Sequence, residues 1–425
     1  MRVLLLVDCY FPSTKSSAKL VHDLAVEICR RGNQAIVLTP SDAVSKNIEV
    51  RTEDGVSVVR AKTGRIKGVN SIKRAAREAR LSESLWRGAR NFLRQNPCDL
   101  ILFYSPTIFF GPLVRRLKRL WHCPAYLILR DIFPDWAVDA GVLRKGLVYR
   151  FFRRVAVAQY RVADVIAVQS PANLKYFAST FPKESFDLEV LFNWTSLREG
   201  PLPKTNFRGR LGLRDKIVFL YGGNLGIAQD MDNILRLAAR LAYRPDIHIL
   251  LAGEGSEVSR LNRAIVANRL SNLQIIPGMS QQDYLSMVSE FDVGLISLDR
   301  RLTTHNIPGK LLSYLYWGMP VLASVNRDND LFEILKMHRA GFCLVNGDDD
   351  SLCSAALCLA DDAELRVRMG RSARQLLEKT FSVKMAVTQI FTHLCDRKLL
   401  SELDNSQFPR PSIPQFHSAE LAEKR

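Results

Sequence analysis

The sequence predicts an α/β protein with two doubly wound, parallel-sheet domains in series, and three observations support this fold class. The chain has 425 residues, which is too long for one ordinary hydrophobic core. Short apolar strands alternate with amphipathic helices in both halves, which is typical of parallel sheets covered on both faces. A segment with two prolines and a glycine, residues 193–206, separates the halves. We therefore expect a ligand crevice between the carboxyl ends of the two sheets.

The first half begins with an apolar run that ends at Asp8 and is too short for a signal peptide, so it predicts a buried strand. The next segment predicts a helix, because Leu20, Leu24 and Ile28 fall on one face. Further strands are predicted at residues 34–39, 55–61, 99–104, 125–129 and 164–169. The strand at 55–61 follows Asp54-Gly55, a pair typical of hairpin turns.

The second half repeats this scheme. Its strands are predicted at residues 216–223, 246–255, 273–278, 293–298 and 320–324. A long helical stretch is expected from about 361 to 398. The expected boundaries are an N-terminal domain at 1–195, a linker at 196–206, a C-terminal domain at 207–385, a C-terminal helix at 386–400 and a disordered tail at 401–425.

The positive charge of the chain belongs to its first half. Residues 1–200 contain 32 Lys and Arg against 18 Asp and Glu, whereas residues 201–425 contain 28 against 25. Such an excess favours a negatively charged partner, which could be a membrane surface, a nucleic acid or a phosphorylated substrate. The basic runs are 65–94, 115–119 and 144–161.

The third basic run predicts an amphipathic helix with Leu147, Phe151 and Val155 on one face, and Arg150 and Arg154 on another. Such a helix suits an anionic membrane surface. The alternative is an ordinary helix that faces the core and has a solvated basic side.

The cysteines and the hydropathy pattern further limit which class of protein this chain can belong to. The eight cysteines are scattered without a C-x-x-C pair, which indicates a reduced cytosolic protein without a cysteine metal site. The longest uncharged run, residues 100–114, is shorter than the roughly 20 residues that cross a bilayer.

Three strand–helix junctions in the second half predict an anion site. They are "YGGNLG" at 221–226, "AGEGSE" at 252–257 and "TTHNIPGK" at 303–310. Glycine lets the backbone approach a ligand, although it also serves simple turn packing. In the third junction Asn306 suits an N-cap and Pro308 a first helical turn, which would leave the amides of Gly309 and Lys310 free beside the Lys310 ammonium. The alternative is a capped helix with a solvated lysine, and three such junctions together disfavour it.

With "YFPSTKSSAKLVHDLAVEICRRGNQAIVLT" and "NIPGKLLSYLYWGMPVLAS", these segments resemble family-4 glycosyltransferases of the GT-B fold over about residues 1–395. More narrowly, the chain resembles bacterial O-antigen and capsule transferases that move N-acetyl-L-fucosamine from a UDP donor. The resemblance implies two Rossmann-like domains facing across a cleft. It also implies a retaining transferase whose C-terminal domain holds the UDP-sugar and whose N-terminal domain holds the acceptor.

The resemblance implies a set of donor-binding positions in the C-terminal domain. They are Gly222, Gly223, Asn224, Gln229, Gly253, Glu254, Gly255, His305, Asn306, Pro308, Gly309, Lys310 and Ser313. Two glutamates usual in the family are replaced here by His305 and Ser313, and its phosphate-binding arginine and lysine by Asn224 and Gln229. Lys310 therefore becomes the main cation for the diphosphate. In the N-terminal loop the usual glycine pair is replaced by Ser16 and Ser17, and Lys19 follows them.

The loop "LRDIFPDWAVDAG" at 129–141 is the candidate acceptor site. Asp131 and Asp135, with Arg130, are expected to orient the acceptor hydroxyl or take its proton. The alternative is a capped helix start with a salt bridge to Arg130.

Neither a metal nor a cofactor is expected. Asp230-Met-Asp232 and Asp348-Asp-Asp350 could hold a metal, but acids at such positions also suit helix starts. Fixed amides and Lys310 can stabilise the charge that develops on a diphosphate leaving group.

The expected acceptor is a sugar linked to a lipid diphosphate, so the enzyme is expected in the cytoplasm, peripheral on the inner face of the plasma membrane. Two other functions remain open. One is a sugar-nucleotide epimerase of the same fold. The other is a nucleic-acid-binding protein, which is disfavoured because the basic runs lack interleaved stacking aromatics.

Overall fold

The computed structural model describes residues 1–13, 15–63, 77–139, 141–197, 205–302 and 307–400. The chain forms two compact units. The N-terminal unit comprises Met1–Ser196 and the chain from Val383 onward, and the C-terminal unit comprises Leu197–Ser382. The predicted tail at 401–425, most of the linker and the first part of the basic run at 65–94 lie outside the described residues.

The strands form one sheet in each unit. They are β1 Arg2–Leu6, β2 Gln34–Ser41, β3 Ile48–Glu53, β4 Val56–Lys62, β5 Leu100–Tyr104, β6 Ala125–Ile128, β7 Val165–Val168, β8 Leu188–Val190, β9 Ile217–Gly222, β10 Ile247–Ala252, β11 Leu273–Ile276, β12 Val293–Ser297, β13 Val321–Val325 and β14 Gly341–Val345. Each strand that the sequence predicts is present. The sequence missed β3, β8 and β14.

The helices lie mostly between consecutive strands. They are α1 Ser16–Arg30, α2 Leu81–Gln95, α3 Gly111–Trp121, α4 Asp135–Asp139, α5 Leu147–Tyr160, α6 Pro171–Thr180, α7 Phe207–Arg210, α8 Met231–Arg240, α9 Val258–Ala267, α10 Gln281–Val288, α11 Lys310–Tyr316, α12 Leu331–His338, α13 Asp349–Asp361, α14 Ala363–Leu376 and α15 Val383–Asp396. The predicted face of α1, with Leu20, Leu24 and Ile28, is buried as expected. In the described residues, no helix combines the length and the apolar character needed to cross a membrane.

The N-terminal sheet has the order β3-β4-β2-β1-β5-β6-β7-β8. Neighbouring strands are parallel except β3 and β4, which form a hairpin. Its turn is at Asp54 and Gly55, where the sequence predicted a turn but not the strand before it. Both residues have positive φ, the conformation that such a turn requires. The strand order reverses between β1 and β5, so their carboxyl ends form a topological switch point.

The C-terminal sheet is parallel throughout and has the order β11-β10-β9-β12-β13-β14. This is the doubly wound order of dinucleotide-binding folds, with its switch point between β9 and β12. Ligands of open α/β sheets bind at the carboxyl ends of the strands beside this point, which here carry the glycine-rich junction that follows β9.

The last helix, α15, belongs to the N-terminal unit. Its Ile390, Phe391 and Leu394 are buried in the same core as the apolar face of α1. The chain therefore crosses between units at 196/197 and 382/383, rather than ending its C-terminal domain at 385. The predicted helical stretch from 361 to 398 is divided into α14, a π-helical turn at 377–381 and α15.

Candidate active site

The first glycine junction begins at the end of β9, at the switch point of the C-terminal sheet. Gly223 has φ +119, and a Cβ there would approach only Lys310 Cε, at 3.7 Å. Gly222 differs, because its Cβ would lie 2.1 Å from Tyr284 Oη. Gly223 is thus the position where the main chain borders open space, whereas Gly222 is required for packing.

The main chain of the second junction packs against the main chain of the first. A Cβ on Gly253 would lie 1.8 Å from Gly223 O, and one on Gly255 would lie 2.1 Å from Leu225 O. The amide of Leu225 donates to the carbonyl of Glu254 at 2.8 Å. The glycines of this loop therefore allow two backbones to pack against each other, and the packing alternative explains them. The side chain of Glu254 is exposed.

Lys310 lies beside the first junction, so the structure brings the first and third motifs together. Its Nζ is 4.0 Å from the centre of the Tyr221 ring, which is within range of a cation–π contact. Burial lowers the pKa of Lys310 to about 7, because removal from water disfavours the charged form. The neutral amine form of Lys310 is therefore poised to gain a proton when an anion binds next to Gly223.

The third junction differs in detail from the expectation. Helix α11 begins at Lys310, and Gly309 precedes it as the cap residue. Pro308 and Gly309 accept from the amides of Leu311 and Leu312 at 3.0 and 3.2 Å, so they open the first turn rather than lie within it. Ser313 lies on α11 and is partly buried. His305 and Asn306, which the sequence placed in this site, lie outside the described residues.

Asn224 and Gln229, which the sequence resemblance matched to phosphate-binding cations, contact each other. Asn224 Nδ2 donates to Gln229 Oε1 at 2.8 Å across the glycine junction. This amide pair carries no formal charge. The basic side chain beside Gly223 in the described residues is Lys310, and its role as the main cation for a diphosphate stays a prediction.

Buried tyrosines behind the junction were missed by the sequence analysis. The amide of Gly222 donates to Tyr314 Oη at 3.0 Å, and Tyr314 Oη donates to Leu295 O at 3.1 Å. Tyr314 thus links β9 to β12 at the switch point. Burial raises the pKa of Tyr314, so its hydroxyl stays protonated and can donate. In the sequence this tyrosine looks like one more residue of an apolar helix.

The two D-x-D strings lie at helix starts. Asp232 is ion-paired with Arg260 at 2.6 Å, and Asp348 caps α13 by accepting from the amide of Ser351 at 3.1 Å. Asp349 is ion-paired with a basic side chain of α8. Within the described parts of the chain, no three His, Cys, Asp or Glu side chains come together in a way that could hold a metal ion.

In the N-terminal unit Arg130 follows β6 and is buried. Its Nη1 donates to Leu191 O at 2.5 Å, and the guanidinium lies 5.2 Å from the centre of the Trp194 ring. Arg130 thus joins the end of β6 to the segment after β8. The expected alternative, a salt bridge between Arg130 and the aspartates of this loop, does not occur among the described ion pairs.

Asp131 is partly buried at the carboxyl end of β6. Burial raises its pKa, the Arg130 charge acts against this, and the charge of Asp8 raises the pKa further. Asp8 follows β1, two strands away in the sheet, and its Oδ1 is buried without a hydrogen-bond partner among the described residues. The sequence missed this neighbour, although a carboxylate directly after the first strand was a usable signal.

Asp135 has a different environment. Its Oδ1 accepts a hydrogen bond from Tyr149 Oη at 2.9 Å. Tyr149 Oη in turn accepts from Arg153 Nη1 at 3.0 Å. Asp135 is thus held against α5, whereas Asp131 is coupled to the end of β1. Of the two predicted acids, Asp131 has the environment better suited to proton transfer.

Two of the three candidate residues in the N-terminal loop have side-chain partners within the protein. Ser17 is buried with its Oγ 3.2 Å from Cys9 Sγ. Lys19 is ion-paired with Asp23, one turn along α1. Ser16, the first residue of α1, is exposed.

Comparison with known proteins finds a matching family model for each half of the chain. Residues 17–185 match the model of the glycosyl transferase 4-like domain, and residues 203–376 match that of glycosyl transferases group 1. Among curated proteins, Pseudomonas aeruginosa WbjE, named as a glycosyltransferase, is 24% identical over 65% of this chain and 68% of its own. Escherichia coli WcaI, named as a colanic acid biosynthesis glycosyl transferase, is 23% identical over 75% of this chain and 82% of its own.

Among solved structures, Anabaena HepE in complex with UDP-glucose is similar with a TM-score of 0.64 and 16% identity. The likeness covers 93% of this chain and 100% of that one. At this identity the similarity shows the fold, which confirms the predicted pair of Rossmann-like parallel-sheet domains.

Proposed function

Because the chain is a glycosyltransferase of the GT-B fold, we propose that it is a retaining enzyme that transfers a sugar from a UDP-sugar to a lipid-diphosphate-linked sugar. The product would be a precursor of a bacterial surface polysaccharide such as O-antigen or capsule. The relative named for colanic acid biosynthesis and the similar structure solved with UDP-glucose support this assignment. Our choice of sugar is N-acetyl-L-fucosamine.

One observation carries the proposal: Lys310 lies beside the open face of Gly223 at the switch point of the C-terminal sheet. Breaking a glycosyl–phosphate bond moves negative charge onto the diphosphate leaving group. The fixed main chain at Gly223 and the ammonium of Lys310 would stabilise that charge more in the transition state than in the ground state. The reaction is proposed to need no metal ion and no cofactor.

The acceptor is proposed to bind the N-terminal unit at the carboxyl ends of β1 and β6. Asp131 would orient the acceptor hydroxyl and take its proton. Asp8 supports this role, because its charge raises the pKa of Asp131 and makes it a stronger base once ionised. Arg130 and Asp135 would hold the loop in place through the contacts described above.

The enzyme is proposed to work in the cytoplasm at the inner face of the plasma membrane, which its basic N-terminal unit would contact. The epimerase alternative would need acids and histidines around the diphosphate. Beside Gly223 the described residues include Lys310 and the amide pair of Asn224 and Gln229, and the acid of the neighbouring junction is Glu254, whose side chain is exposed.

The test is direct. A panel of sugar nucleotides is incubated with membranes that carry lipid-linked sugars, and the lipid products are analysed by mass. We expect one UDP-sugar to extend the lipid by one sugar unit, and we expect Lys310→Met to abolish this. Lys379→Met, which changes an exposed lysine of the same unit, serves as the control. Conversion of the UDP-sugar to its epimer, with or without release of the free sugar, and without any lipid product would refute the transferase assignment to this acceptor class.

A further inference from the structure

A cluster of large apolar side chains is exposed around the start of α5. Leu147 is 84% exposed, Val142 75% and Phe151 53%, and Val148 and Trp136 are exposed with them. These five side chains, here called the exposed apolar patch, are almost half of the exposed large hydrophobic side chains in the described residues. All five lie between residues 136 and 151, so the clustering calls for a partner that covers them.

The patch is continuous rather than scattered. Leu147 and Phe151 are one helical turn apart, and Val148 shares their side of α5. Rings connect this helix to Trp136 on α4. The Phe151 and Phe152 centroids are 5.4 Å apart, those of Phe152 and Phe133 are 5.2 Å apart, and those of Phe133 and Trp136 are 6.2 Å apart.

The sequence left two alternatives for this helix, and the structure separates them. A helix that merely faces the core would bury Leu147 and Phe151, but both are exposed. Val155, the third residue predicted on this face, is partly buried against the core. The first half of α5 therefore presents an apolar surface that the described residues of its own unit leave uncovered.

The charge around the patch is predominantly positive. Residues 135–154 contain five Lys and Arg against two acids, Asp135 and Asp139. Arg144, Lys145, Arg150 and Arg154 are exposed. A second copy of the chain would bring the same cations against each other. A nucleic acid would match the charge but would leave aliphatic side chains such as Leu147 without a partner.

We propose that the exposed apolar patch inserts into the boundary between headgroups and acyl chains of an anionic phospholipid bilayer, with the surrounding cations on lipid phosphates. Basic residues beside Trp, Phe and Leu are the composition of helices that lie in a membrane interface. The purpose of the docking rests on the proposed function. Asp135 precedes Trp136 and is hydrogen-bonded by Tyr149 of α5, so docking would hold the candidate acceptor loop near lipid diphosphates.

The experiment measures binding of the full chain to phosphatidylcholine vesicles with and without phosphatidylglycerol, over a salt series. The patch variant combines Leu147→Ser and Phe151→Ser. The matched control combines Val266→Ser and Val367→Ser, two exposed apolar side chains of the C-terminal unit. We expect salt-sensitive binding to the anionic vesicles, weakened at least about tenfold in the patch variant and unchanged in the control, because each buried apolar side chain contributes roughly a factor of ten.

Several outcomes would overturn the proposal. These are absence of wild-type binding to anionic vesicles, wild-type affinity in the patch variant, or equal loss in the control. A dimer or a complex with duplex DNA that the patch variant abolishes would assign the patch to another partner. UDP titration of each protein separates this inference from the proposed function. Failure of UDP to bind the wild type would count against the donor site and leave the vesicle result standing.

Discussion

The pKa of Lys310 makes UDP binding depend on pH in a direction that can be stated in advance. In the free protein, burial holds this pKa at about 7, so the ammonium and neutral forms are equally populated near neutrality. A diphosphate next to Gly223 favours the charged form and raises the pKa. Binding therefore takes up a proton, and affinity must fall as pH rises above 7.

The magnitude follows from the titration of one group. Each pH unit above 7 reduces the charged fraction about tenfold, so the affinity for UDP is expected to fall by up to about tenfold per unit between pH 7.5 and 9. The terminal phosphate of UDP titrates near pH 6 and adds little in that range. Calorimetry in buffers of different ionisation enthalpy should report close to one proton taken up per UDP at pH 8.

Three variants make this test specific. Lys310→Arg keeps its charge at every pH used, so its affinity should be nearly flat from pH 7.5 to 9. Lys310→Met should bind at least about tenfold more weakly at pH 7 and should also lose the pH dependence. Lys379→Met should behave as the wild type. A flat profile in the wild type, or an undiminished slope in Lys310→Met, would refute the reasoning.

Further predictions concern the acceptor acid, loop packing and the metal. Asp131→Asn should lower the initial transfer rate by about 10²- to 10⁴-fold with little change in UDP affinity. If the transfer rate and the UDP affinity fell together, Asp131 would not be the residue that takes the proton. Gly253→Ala should destabilise the protein by about 1–3 kcal/mol or more in denaturant unfolding, because its Cβ would overlap the carbonyl of Gly223. Gly309→Ala is the matched control, since its Cβ would meet no heavy atom within 4 Å and its φ is −60°. A chelator should leave the transfer rate unchanged, and a loss that manganese restores would contradict the metal-free mechanism.

The fold could be predicted from the sequence because buried parallel strands are short apolar runs that alternate with amphipathic helices. The strands that were missed lack this signal. β3 is largely exposed and charged at the sheet edge, β8 has three residues, and every residue of β14 is only partly buried. Periodicity alone also could not show that α15 packs on the first sheet, since an apolar face does not specify its partner.

The proximity of Gly223 and Lys310 was predictable because both belong to strand–helix junctions of one parallel sheet. Gly223 directly follows β9 and Lys310 begins α11, and the structure brings them together. Contacts between distant segments were not predictable. The coupling of Asp8 to Asp131 requires knowledge of strand order, and the role of Tyr314 requires the packing of α11 behind β9. Leu147 and Phe151 have the same spacing whether a helix faces a core or a membrane, so only their exposure distinguishes the two.

The two crossings between the units meet at one place, because the amide of Val383 donates to Thr195 O at 3.0 Å. Residues 197–382 therefore form an insertion whose two ends are neighbours. A direct peptide link from Ser196 to Val383 would excise the unit that we propose holds the nucleotide and would keep the first sheet with α15 covering it. The same junction is a natural site for grafting that unit from a related enzyme, and under our proposal the chimera would exchange the donor while keeping the acceptor.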